Sequence, residues 1–263
     1  MEIEQRGICR LGLAPVRASG SDKAEMVTQL LFGDHYSVTE ISDDGKWVHI
    51  VIEFDQYSGW IDKKQHTEIS EDYFEHLNNV EFKISTDITS TILYKKRLLQ
   101  IIIGSILPIS SSELFEVNEQ FAFNGSSKNI GDRKGIDFIK QLSKAYMNAP
   151  YQWGGKSPFG IDCSGLTQQL FKLAGYKLKR DASQQFLQGV TVDTVEESKP
   201  GDLAFFKNEK CKITHVGIVL ENENILHASG YVRIDKLDHN GIFVEEISNY
   251  THNLEGIKRI LNS

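Results

Sequence analysis

The chain has 263 residues, 40% apolar and 25% charged, with 29 basic against 36 acidic side chains and a net charge of -7. This composition forms cores rather than disorder and suits one large domain or two to three small ones. It lacks the basic surplus that phosphate neutralisation calls for, so nucleic acid and anionic membrane surfaces are not expected partners.

Residues 1–15 carry charges and no continuous apolar run, so no leader is expected there and the expected location is the cytoplasm. The apolar run Ile101 to Leu107, broken by Gly104 and Ser105, is too short to span a bilayer. Leu31-Phe32-Gly33-Asp34 reads as a strand running into a turn. Asp43-Asp44-Gly45 followed by Trp47 to Phe54 reads as a hairpin. Short strands at this spacing predict a small barrel of about 60 residues. Glu71 to Asn79 reads as a short helix or linker. Ser90 to Tyr94, Leu98 to Ile103 and Glu113 to Val117 read as strands of a second β-rich unit.

The polar, glycine-rich stretch 124–135 reads as a linker. Beyond it Ile136, Ile139, Leu142, Ala145 and Tyr146 fall at helical spacing, with Pro150 as the stop. A second helix is expected from Cys163 to Ala174, ended by Gly175. Strands follow at Asp202 to Phe206, His215 to Leu220 and Ile225 to Ala228. Helices followed by strands predict an α+β domain.

Cys9, Cys163 and Cys211 are too few and too scattered for a disulfide framework or a structural zinc site, which leaves a thiol free for chemistry. Cys163 at a helix start would feel the positive end of the dipole, which favours the thiolate; the alternative is a buried structural cysteine. A nucleophile needs a base, and the base an orienting group. His215 and His227 sit on consecutive predicted strands. They face the same side only if the turn between them is odd in length, for example 221–223. Gly217 then opposes His227 and His215 is its diagonal neighbour, about 7–8 Å away. His35, His49, His66, His76, His239 and His252 have no such context and read as surface or packing residues.

Four motifs in order, Tyr151-Gln-Trp153-Gly-Gly, Gly160-Ile-Asp162-Cys163-Ser164-Gly165-Leu166, Thr214-His215-Val-Gly and His227-Ala-Ser, resemble the NlpC-type family of bacterial cell-wall cysteine peptidases. The resemblance implies a papain-like α+β domain over 129–263, with Cys163 as nucleophile, His215 as base, His227 as its orienting partner and Tyr151 near the oxyanion. Ala24-Glu25-Met26 and Tyr57-Ser-Gly-Trp60 are similar to the first bacterial SH3-like domain of cytoplasmic γ-D-glutamyl-diamino-acid endopeptidases of the dipeptidyl-peptidase VI type. That implies SH3-like domains at 1–66 and, divergent, at 67–128. The implied substrate is a short murein peptide with a free N-terminal L-Ala, cut between γ-D-Glu and the diamino acid by a monomer that uses no metal or cofactor.

On this reading Glu25, Tyr57, Trp153, Asp162, Ser164 and Ser183 complete the substrate pocket, the carboxylates meeting the free ammonium. Each has a plainer alternative. Asp162 caps its helix, Ser183 caps the next one, and Glu25 is a solvated surface charge. Tyr57, Trp60 and Trp153 are packing residues, and the glycines near Cys163 serve close packing. Three other functions fit the same motifs: an exported hydrolase of intact wall, an inactive muropeptide-binding protein and a thiol acyltransferase.

Overall fold

Trp47–Ile52 buries four of its six residues, and the turn before it sends the chain back from His35–Ile41 as an antiparallel partner. Around this hairpin a seven-stranded antiparallel sheet assembles in the order Met26–Leu31, Leu13–Arg17, Ser58–Asp62, Trp47–Ile52, His35–Ile41, Gln5–Ile8, Thr67–Ile69. Its core includes Cys9, Val16, Leu30, Tyr36, Val48, Ile50 and Ile61. The structure, a computed structural model, describes residues 5–79, 81–110 and 121–261. The chain divides into two compact units, Met1–Asp132 and Arg133–Ser263. None of the described helices is long and apolar enough to cross a membrane.

Within the first unit the helix Glu71–Asn79 forms where expected. Two three-stranded sheets follow it. One is Arg97–Ile102, Thr89–Tyr94, Phe121–Asn124; the other is Ile106–Ser110, Phe82–Ser85, Ser127–Asn129. The strand expected at 113–117 lies outside the described residues. The expected break at residue 66 does not separate two bodies, because Thr67–Ile69 pairs with Gln5–Ile8 of the first sheet. Phe32 is buried with Ile92, Ile101 and Leu107, and Ile8 with Phe82 and Ile106. Shared cores of this kind make one unit of the two β modules. Part of the expected linker is likewise structured, since Ser127–Asn129 pairs with Phe82–Ser85.

In the second unit the helix Ile136–Ser143 ends well before Pro150. The Ser143 hydroxyl donates to the Lys140 carbonyl at 2.9 Å, and the chain tightens into three-residue turns at Ala145 and Tyr146. The helix Cys163–Leu173 is buried on every side, as a helix between two layers must be. It packs on the strands Ile213–Leu220 and Asn224–Ser229. The sheet runs Val190–Val192, Asn249–Arg259, Leu203–Lys207, Ile213–Leu220, Asn224–Ser229, Tyr231–Leu237, Gly241–Val244. The long strand Asn249–Arg259 also pairs with Gly241–Val244, so the sheet closes on itself. Ala204, Phe206, Val219, Ile225, Leu237, Ile242 and Ile257 fill the ring.

The glycines around Cys163 serve close packing. A Cβ on Gly165 would lie 2.3 Å from the Gly155 carbonyl oxygen, and one on Gly155 would lie 2.4 Å from that of Gly160. Backbone atoms cannot swing aside as a side chain can. Gly165→Ala is therefore expected to destabilise the second unit by about 1–3 kcal/mol, the usual penalty for overpacking, read as a lower urea midpoint. An unchanged midpoint would show that the Gly154–Gly155 loop yields without cost.

Candidate active site

The thiol stands at the first residue of its helix because Asp162 caps that helix. The Asp162 carboxylate accepts from the Gly165 N–H at 2.6 Å and the Gly154 N–H at 2.8 Å. Arg180, 1% exposed, forks onto the same carboxylate at 2.6 and 3.0 Å and reaches the Ser164 hydroxyl at 2.9 Å. Asp162 and Ser164 are therefore committed to one another and to Arg180. Asp162 takes the capping role, with Arg180 facing its charge.

The hairpin register places the histidines. Leu220 pairs with Asn224 across the three-residue turn 221–223, Gly217 opposes His227, and His215 falls diagonal to it, as the odd turn requires. In the neighbouring pairing Phe206 opposes His215 and Lys207 opposes Ile213, so Thr214 is left over as a bulge beside the base. Such bulges re-aim side chains. His215 Nε2 and His227 Nδ1 lie 2.9 Å apart, both rings buried. The far nitrogen of His227, Nε2, donates to Asp235 Oδ2 at 2.8 Å. Arg233 donates to both oxygens of Asp235, at 2.6 and 2.8 Å.

His252 was expected to be an ordinary packing or surface residue; it lies against His215. Its ring stacks on His215 at 4.0 Å between centroids, and Phe206 packs edge-on against His252 and tilted against His215. Ring nitrogens of His215, His227 and His252 lie within 4.8 Å of one another and form a donor set that could take a metal ion. Such an ion would compete with the His215–His227 hydrogen bond.

The Cys163 sulfur meets the Val216 N–H, next in the chain to His215. Burial, helped by the Asp162 charge, pushes the Cys163 thiol up to about 12, more than its backbone contacts and Arg180 bring it down. Desolvation therefore works against the thiolate that the helix dipole favours. Burial also carries His215 well below its ordinary value, with His252 and His227 adding to the shift, and takes His252 to about 4. Burial thus disfavours charge on both the thiol and the imidazole.

Tyr151 is half-buried, and its hydroxyl is pushed up by burial, then by Cys163 and Asp162, so it remains a donor within electrostatic reach of the sulfur. Trp153 is 60% exposed and is not a core anchor. Ser183 is exposed inside the helix Ala182–Gln185, whose cap is Asp181 and not Ser183. Glu25 and Tyr57 belong to the first unit. Glu25 is exposed and Tyr57 half-buried. They precede Met26–Leu31 and Ser58–Asp62, two strands that flank Leu13–Arg17 and begin at the same end of it, where Arg17 pairs with both Met26 and Trp60. Trp60 packs edge-on against His49 at 5.2 Å, the packing role expected of it.

Residues 148–249 match the NlpC/P60 family and residues 16–65 match the bacterial dipeptidyl-peptidase Sh3 domain. The chain is similar to the gamma-D-glutamyl-L-lysine dipeptidyl-peptidase of Bacillus subtilis, at 30% identity over 76% of this chain and 71% of that protein. It resembles the Bacillus cereus protein of the same name at 30% identity, over 78% of this chain and 67% of that one. Dipeptidyl-peptidase 6 of Lysinibacillus sphaericus is 26% identical over 82% of this chain and 85% of that one. Among solved structures, an NlpC/P60 family protein from Bacillus cereus superposes with a TM-score of 0.78 at 22% identity, covering 97% of this chain and 99% of that one. The fold is therefore the NlpC/P60 fold with an SH3-like domain N-terminal to it.

Two outcomes follow from the site. Arg180→Met removes one partner of a buried pair and should destabilise the second unit by about 3–5 kcal/mol, with part of the loss regained in Arg180→Met/Asp162→Asn; a loss below about 1 kcal/mol would refute the pairing's role. Because burial raises the thiol and lowers the imidazole, alkylation of Cys163 by iodoacetamide, measured with the exposed Cys211 replaced by serine, should keep accelerating into the alkaline range. A rate plateau already reached near neutral pH would instead indicate a resting thiolate–imidazolium pair.

Proposed function

The chain belongs to the NlpC/P60 family of cysteine peptidases, and from that premise we propose that it hydrolyses the γ-D-glutamyl to diamino-acid bond of short murein peptides carrying a free N-terminal L-Ala. The observation that carries the reading is the hydrogen-bonded line from His215 through His227 to Asp235, with the Cys163 thiol on a capped helix start meeting the backbone N–H of Val216, the residue after His215. The pairing of this unit with a dipeptidyl-peptidase Sh3 domain supports the choice of substrate.

In the proposed reaction His215 takes the Cys163 proton as sulfur attacks the γ-carbonyl of D-Glu, forming the thioester after the imidazolium returns that proton to the leaving amine. Water then attacks the thioester with His215 again as base. The Cys163 backbone N–H at the helix start and the Tyr151 hydroxyl supply donors for the oxyanion. Burial disfavours charge on both the Cys163 and the His215 side chains before substrate arrives.

Selection for a free amine rests, in this proposal, on Glu25 and Tyr57, with Trp153 and Ser183 as further contacts, while Asp162 and Ser164 hold the nucleophile's helix. Residues 67–128 form, in this proposal, a divergent second SH3-like domain, and the enzyme acts as a monomer on released peptides during wall turnover. The other reading, an exported hydrolase of intact wall, is separated from this one by its products.

Cys163→Ala should abolish release of the diamino acid from L-Ala-γ-D-Glu-diamino acid; retained turnover would remove the thiol from the mechanism. N-acetylation of that substrate should lower kcat/KM by about 100-fold or more, the scale of a lost charge-assisted contact. Glu25→Gln should lower kcat/KM on the free-amine peptide by about 10-fold or more and change it less than about 2-fold on the acetylated one; equal losses on both would dismiss Glu25 from amine recognition. Mass spectrometry of products from free tripeptide and from whole sacculi, side by side, tests the choice between released peptide and intact wall.

A further inference from the structure

Beyond the nucleophile, the base and its partner histidine, the buried chain of hydrogen bonds continues for one more link. Asp235 lies opposite Ile225 on the strand Tyr231–Leu237, two pairs along from Arg233, which opposes His227. Asp235 and His227 therefore share the inward face of the ring as diagonal neighbours. The Asp235 side chain is 5% exposed. We propose that Asp235, held by Arg233, is the positioning residue that sets the tautomers of both histidines and so leaves the base atom of His215 unprotonated.

The argument is one of donors and acceptors. An ionised carboxylate only accepts. Arg233 donates to both Asp235 oxygens and is itself steadied by Glu246 at 3.2 Å, which favours the ionised form. With Asp235 Oδ2 2.8 Å from His227 Nε2, the proton of His227 sits on Nε2. A neutral His227 then offers a bare lone pair at Nδ1, and His215 Nε2, 2.9 Å away, must be the donor. That places the one proton of neutral His215 on Nε2 and leaves Nδ1 free to accept the proton of the thiol. Reversing the first link reverses them all. If His227 carried its proton on Nδ1, His215 Nε2 would have to accept, and its proton would occupy the atom that has to act as base.

The charged and titratable groups around Asp235 are consistent with this assignment. From its own strand comes Arg233, from the neighbouring strand His227, from the turn after Gly241–Val244 comes Glu246 through Arg233, and from the last strand His252 feels its charge. Asp235 itself touches neither substrate nor sulfur; its effect passes through His227.

The inference rests on the peptidase reading, but its test has a readout independent of substrate. Long-range 1H–15N NMR of the uniformly labelled, full-length enzyme reports which ring nitrogen of each histidine is protonated. The wild type should show His227 and His215 both protonated at Nε2, and Asp235→Asn should shift His227 toward Nδ1–H. In the peptide assay Asp235→Asn should lower kcat by about 100-fold, with KM within about 2-fold, since an orienting carboxylate in a triad sets tautomer and not affinity. Asp235→Glu should regain at least 10-fold over Asp235→Asn. A wild-type spectrum with His227 protonated at Nδ1 overturns the proposal whether or not any variant folds, and so does a wild-type kcat in folded Asp235→Asn. If the wild type is inert toward the tripeptide while its tautomers stand as assigned and change in Asp235→Asn, the substrate reading falls and the positioning role stands.

Discussion

The register of one hairpin governs the chemistry of the second unit. Leu220 pairs with Asn224 across a turn in which Asn222 and Glu223 both take left-handed backbone angles. A side chain on a strand changes face with every residue. A slip of one position would send His227 out of the ring, away from His215 and Asp235. The turn is thus a specificity device: its length decides whether two histidines twelve residues apart can share a proton path.

Burial sets the character of that path. The closed sheet and the helix laid against it exclude water from sulfur and imidazole alike, and desolvation disfavours charge on both. The helix end and Arg180 act in the opposite direction on the thiol and do not prevail. The hydrogen bonds from His215 through His227 to Asp235 run through this dry interior. His252 contributes by covering one face of the base with a ring that burial also keeps neutral.

What was legible in the amino-acid sequence was local or periodic. The helix Cys163–Leu173 and its cap, the hairpin holding His215 and His227, and the turn at Asp43-Asp44-Gly45 all follow from spacing and turn chemistry. What was not legible depends on closure over long separations. His252 reaches His215 only because Asn249–Arg259 returns to pair with Leu203–Lys207 and Gly241–Val244 at once. Arg180 meets Asp162 across 18 residues through a loop of no regular period. Asp235 carried a usable signal, since it alternates with Arg233 on a strand whose partner holds His227, but that strand was not recognised beforehand. The joining of the two β modules depends on similar long-range contacts: Phe32 looks like an end of the first and packs in the core of the second.

Closure of the ring also limits how a peptide can be held. Between Leu203–Lys207 and Asn249–Arg259 each strand is paired on both sides, and only the short Val190–Val192 hangs at the margin. No long ladder of open amides is offered there for a guest chain to extend as an additional strand, the mode by which many peptide-binding folds grip an extended backbone. A γ-linked peptide could not use such a ladder well in any case, because its extra methylenes break the repeat at which amides would meet their partners. The handles left for gripping a guest at this sheet are its termini and side groups.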